Sequence, residues 1–192
     1  VAVRCGCTSI CPSTLLFDAV ARASVASKVA RASATSIDQF SIDQFNPQAS
    51  RKTLPTTAWA FATAGHPSPL LFDAVARASA ASIDQFMPQN LANMAWAFAT
   101  VCHSSPALFE AMSRASAARI GHFSRQNLAN TAWAFATVGH ASSALFEAMS
   151  RASAARIGQF SPQNLANTAW AFATVGHASS ALFEAMSRAS AA

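Results

Sequence analysis

Asparagine, tryptophan, histidine and arginine recur in this chain at fixed intervals, and each type carries its own chemistry. Asn90, Asn127 and Asn164 stand 37 residues apart, and Asn93, Asn130 and Asn167 follow one helical turn later. A carboxamide offers an acceptor oxygen and a donor nitrogen side by side, so a row of Asn side chains could grip one base edge per rung. The alternative is that the first Asn completes a helix N-terminus and the second bridges neighbouring units. Thr131 and Thr168 directly follow the second Asn and extend the polar row, with Met94 at the equivalent place. Trp59, Trp96, Trp133 and Trp170 could stack nucleobases. Each, however, has a Phe two residues on, at 61, 98, 135 and 172, and reads as core packing. His66, His103, His140 and His177 form a further row. Packed helices lie roughly 8–10 Å apart, too far for neighbours to share a metal bound at about 2.0–2.1 Å, so each His reads as a turn residue bonding a helix end. Arg119 and Arg156 either touch phosphates or complement a helix dipole, and the two readings stand level. Cys5, Cys7 and Cys11 form C-x-C-x3-C with no matching His or fourth Cys, a weak zinc pattern. No metal or cofactor is expected. A nucleophile beside a base, a recurrent acid–base pair and a Gly-rich phosphate loop are all missing, so neither catalysis nor a small-molecule substrate is expected.

The elements that must position these rows follow from periodicity. Over PQNLANTAWAFATVG at 162–176, a step of 100° per residue puts Leu165, Ala166, Ala169, Phe172 and Ala173 on one apolar arc, with Trp170 at its border. Gln163, Asn164, Asn167, Thr168 and Thr174 fall opposite. Ser161 suits an N-cap, Pro162 the first turn, and Gly176 a left-handed C-terminal cap. Cys102 replaces that Gly in one unit. A second helix is predicted from Ser142 to Ile157, ended by Gly158, with Leu145, Phe146, Met149 and Ala152 as its apolar stripe. Glu147 and Arg151, four apart with the acid first, read as a solvated pair of about 0.3–0.5 kcal/mol. The pair recurs as Asp73/Arg77, Glu110/Arg114 and Glu184/Arg188.

Two short helices cannot bury both apolar faces alone, whereas stacked pairs can. The predicted fold is therefore all-α, a right-handed αα-solenoid of 37-residue helix-turn-helix repeats. Its units are a degenerate segment at 1–45, repeats at 46–86, 87–123 and 124–160, and a truncated one at 161–192. Residues 126–155 and 163–192 are identical throughout. Residues 12–24 match 67–79 closely and read as a lone second helix, and ARAS and SIDQF are duplicated in tandem between 21 and 45. Pro55 is expected to shorten its helix, since an interior proline costs about 3 kcal/mol. The chain reads as a piece of a longer array.

The 192 residues are 52% hydrophobic and only 11% charged, which suits packed helices and argues against a disordered chain. A net charge of +5 mildly favours polyanions. No apolar run approaches the roughly 20 residues that span a bilayer, so no membrane partner is expected. The four Cys do not recur with the repeat, which points to a reducing compartment.

The string FSPQNLANTAWAFATVGH, repeated with this period, resembles the octotricopeptide repeat family of algal organelles and is similar to the repeats of RAP-domain proteins. The resemblance rests on the Pro-Gln start, the Leu-Ala-Asn core and the Trp-Ala-Phe-Ala run, and covers 46–192. It implies an α-solenoid that binds single-stranded RNA in a chloroplast or mitochondrion and acts in RNA stability, processing or translation. The period of 37 instead of 38, and SSALF where the family has a Pro-rich stretch, are departures from its pattern. A protein-interaction scaffold that binds no nucleic acid is the rival reading.

Overall fold

The computed structural model describes residues 50–177 and 179–190. The segment at 1–45, with its lone helix, its duplications and Cys5, Cys7 and Cys11, lies outside the described residues. Among the described residues the chain is all α, with eight α-helices and no strand. They are α1 (Ser50–Thr63), α2 (Pro69–Ala80), α3 (Pro88–Thr100), α4 (Pro106–Ala118), α5 (Arg125–Thr137), α6 (Ser143–Ala154), α7 (Pro162–Thr174) and α8 (Ser180–Ser190). Short 3-10 turns at Ile83–Gln85, Ile120–His122 and Ile157–Gln159 follow α2, α4 and α6. No helix among these residues is long and apolar enough to cross a membrane.

The odd-numbered helices pack as one row, α1 on α3 on α5 on α7, and the even-numbered ones as a second, α2 on α4 on α6 on α8. Each odd helix also touches the even helix that follows it. The odd row is the more intimate, because its contact faces are alanine. Ala92, Ala95 and Ala99 of α3, and Ala129, Ala132 and Ala136 of α5, are all buried, and small side chains let helix axes approach closely. In α7, Ala166 and Ala173 are exposed, which shows that this face is the one turned towards the next odd helix. The opposite edge of α5, Thr131 and Ala134, is sealed in turn, both at 0% exposure.

Local chemistry sets the ends. Ser124 and Ser161 accept the N–H of Asn127 and Asn164 at 3.1 and 3.2 Å, satisfying donors that a first turn leaves open. Proline opens α2, α3, α4 and α7, where its missing N–H costs nothing. The odd helices close on a left-handed residue. Gly139, at φ 71°, donates to Ala136, and His140 donates to the Phe135 carbonyl at 3.0 Å, which uses up the last carbonyls of α5. Gly65 and Gly176 repeat this at φ 67°, and Cys102 adopts φ 53° in the same place.

Two expectations need correction. The second helix of the third unit ends at Ala154 instead of reaching Ile157. Arg156 leaves helical geometry at φ −127°, and the 3-10 turn that follows drops Phe160 into the core, as the earlier turns do Phe86 and Phe123. Pro55 does not shorten α1, which runs through it from Ser50. It stands at the sixth position, so its ring removes a single bond near the N-terminus, and the residue is buried next to Leu54.

Candidate nucleic-acid interface

With 100° between successive residues, α5 divides into four edges. Leu128 and Phe135 point into the core, while Ala129 and Ala136 meet α7. Thr131 and Ala134 lie on the sealed edge, and Gln126, Asn130, Trp133 and Thr137 fall within about 60° of one another on the outward side. Gln126 is exposed and the other three are half-buried. The same stripe is Gln89, Asn93, Trp96 and Thr100 on α3, and Gln163, Asn167, Trp170 and Thr174 on α7.

The structure therefore splits the predicted polar arc in two. Asn93, Asn130 and Asn167 stand on the outward stripe, half-buried. Among the described residues no intramolecular hydrogen bond holds their side-chain amides. Asn90, Asn127 and Asn164 are also half-buried but stand at the helix starts, to one side of the stripe. The Asn164 carbonyl takes the Thr168 hydroxyl at 2.7 Å. Thr131 and Thr168 leave the set of RNA contacts: they are 0% and 1% exposed, wedged where one odd helix meets the previous one.

Arg119 and Arg156 also change role. Arg156 donates from Nη1 to the Phe123 carbonyl at 2.8 Å and from Nε to Ala152 at 3.1 Å. Arg119 donates to the carbonyls of Phe86 and Asp84. Each guanidinium thus ties the end of an even helix to the 3-10 turn of the preceding unit. In each guanidinium two of the donor nitrogens are engaged by backbone carbonyls. The helix-dipole alternative holds only for the bond from Arg156 to its own helix.

Trp96 and Trp133 pack on the core as expected and, being half-buried, keep an edge at the surface, whereas Trp170 is 45% exposed. Their place beside the second Asn was legible from angular position, since each lies three residues after it. Beside the stripe of α5 stands Arg125, which precedes Gln126 and donates to Gln159 Oε1 at 3.1 Å. It stands where the neighbouring units have Pro88 and Pro162, a break in the repeat that could have singled it out.

Each His does more than end a helix. His103 Nε2 meets Asp73 at 2.9 Å, His140 meets Glu110 at 3.5 Å, and His177 meets Glu147 at 3.6 Å. Every pair links a turn to the even helix of the unit before. Beneath it, Phe109 and Phe135 pack edge-on at 5.1 Å with the His140 ring on both, and the motif recurs at Phe72/Phe98/His103 and Phe146/Phe172/His177. The predicted acid–Arg pairs form at 3.9 Å for Glu110/Arg114 and 3.8 Å for Glu147/Arg151, on the exposed surface. Among the described residues no three metal-ligating side chains come together.

Amides and indoles thus recur in the same order along the odd row, on α3, α5 and α7. Residues 43–192 match the model of a family described as RNA-editing substrate-binding complex 6 protein. The chain belongs to that family. The match to RNA-editing substrate-binding complex 6 proteins takes in every described residue, so both rows of helices and the whole outward stripe fall inside it. No curated protein matches the chain.

Proposed function

We propose that this chain is an RNA-binding helical-repeat module of an RNA-editing complex, in which single-stranded RNA lies across the odd row of helices. The units stack as a right-handed αα-solenoid of 37-residue repeats, with boundaries near residues 46, 87, 124 and 161. One observation carries the reading: α3, α5 and α7 present the same amide, amide, indole and hydroxyl in the same order on their outward side. One base per helical repeat is an established way to hold RNA, and Asn can engage a base edge through both ends of its amide. The family description supports it by naming an RNA-editing substrate, and the octotricopeptide resemblance supports it through the repeat pattern. We assign the chain binding and no catalytic step. Of the two organelles the resemblance implies, we place it in the mitochondrion, where RNA-editing complex proteins act.

The test is the triple variant Asn93→Ala, Asn130→Ala, Asn167→Ala. RNA affinity should fall by about 1–3 kcal/mol per lost base contact, with the melting curve unchanged because these side chains hold nothing inside the protein. Lost stability with unchanged affinity would defeat the proposal. The protein-scaffold alternative draws on the stripe's poverty in cations and on the internal use of Arg119 and Arg156. It forecasts no RNA binding at any salt, whereas the RNA reading forecasts binding that weakens with salt along a shallow slope.

A further inference from the structure

Resting on that RNA reading, we infer that the stripe takes a run of one repeated base, a homopolymeric single-stranded tract, with its bases splayed apart along the row of indoles. The argument starts from where the units differ and where they do not. Among α3, α5 and α7 the sequence varies at Pro88/Arg125/Pro162, the first position of each helix, and at Met94/Thr131/Thr168. The second set is buried, at 0%, 0% and 1% exposure. On the outward side nothing varies. Even the hydroxyl is fixed alike in each unit, because Thr100, Thr137 and Thr174 all donate to the carbonyl of their own Trp at 2.8 Å. That leaves the amides, Gln89 with Asn93, Gln126 with Asn130 and Gln163 with Asn167, to discriminate bases, and the pair is the same two residues in each unit. A surface that repeats one letter three times cannot specify a mixed sequence.

Spacing sets the form of the strand. Packed helices stand about 8–10 Å apart, whereas stacked bases rise about 3.4 Å per step along a strand. Bases engaged one per helix cannot stack on each other. The gap is about two and a half to three stacking distances, so successive bases must be splayed apart. Trp96, Trp133 and Trp170 stand three residues after each Asn, at the edge facing the next odd helix, and line those gaps with an exposed indole edge. Contact with an aromatic ring tolerates any base, so the indoles hold the strand and the amides choose it.

The experiment titrates the chain with the four homopolymer RNAs and with a mixed-sequence RNA of equal length at one salt concentration. One homopolymer should bind at least about tenfold tighter than the mixed sequence. A foreign base at the centre of that run, cut just long enough to span three units, should weaken binding about 5- to 150-fold. Asn130→Ala should abolish that penalty. Trp170→Ala removes the most exposed ring, the one the fold needs least, and should weaken all RNAs alike. RNA binding with no preference for a homopolymer would overturn the tract while leaving the RNA reading intact. No RNA binding at all would instead defeat that earlier reading, and unchanged affinity of Trp170→Ala would overturn the part given to the indoles.

Discussion

Replacing Phe135 by Ala tests how the units hold together. The ring is fully buried at 0% exposure, meets Phe109 of the preceding unit edge-on at 5.1 Å and 72°, and carries His140 at 5.7 Å. A Phe buries at least about 150 Å², and at about 25 cal/mol per Å² the transfer contribution is near 4 kcal/mol, of which Ala retains a part. The edge-to-face pair adds about 0.5–1.5 kcal/mol. A loss of about 3–5 kcal/mol is therefore expected, in line with other buried Phe→Ala changes. Urea denaturation followed by circular dichroism measures it. Phe172→Ala removes the same ring from the same sequence, but the outer face of α7 is open, so that site can collapse and its loss should be smaller. A Phe135→Ala loss below about 1 kcal/mol would refute the placement of this ring at the joint between units.

Other outcomes follow from single contacts. Cys102→Gly should stabilise the protein by about 1–2 kcal/mol, read as a higher urea midpoint, because only glycine takes φ 53° without strain. Thr131→Val should stabilise by about 1 kcal/mol, since the Thr131 hydroxyl is buried without a partner, and should leave RNA affinity unchanged. Arg156→Ala should destabilise by about 1.5–3 kcal/mol through its lost bonds to carbonyls. The salt slope of RNA binding should not change, and a flattened slope would show that this guanidinium does reach phosphate.

The helices were legible because one repeated pattern specifies them. Serine, proline and left-handed glycine mark the ends of α7, and the apolar arc of Leu, Ala and Phe fixes which way it faces. Periodicity failed where a residue's environment depends on another unit. Thr168 is as polar as Asn167, yet one lies against the preceding helix and the other faces outward. No single-helix projection separates them without knowing where the neighbouring helix sits. Arg156 and His140 have partners that one unit alone could not reveal, for the same reason: the Phe123 carbonyl and Glu110 are 33 and 30 residues away. A constant offset between each acid and the next unit's His was present in the sequence, but only stacking gives it meaning. Pro55 shows the limit of propensity, because packing against α3 keeps a helix that an isolated peptide would break.

The equivalence of α5 and α7 has a consequence for how the chain finds its native arrangement. The face of α3 that receives α5 would receive the identical surface of α7 equally well, with one whole unit looped out. Closing a longer loop adds only about 0.6 kcal/mol per doubling of its length, so entropy barely discourages the slip. What disfavours it is the burial lost with the skipped unit, which is recovered only after the wrong contact reopens. Near-degenerate pairings of this kind roughen an otherwise smooth landscape. Refolding should show a slow phase that a marker substitution unique to one copy, such as a charge on the Ala129 face, would reshape. Arg125, the residue that sets the start of α5 apart from that of α7, then serves as a register mark, because only the correct stacking brings it to Gln159.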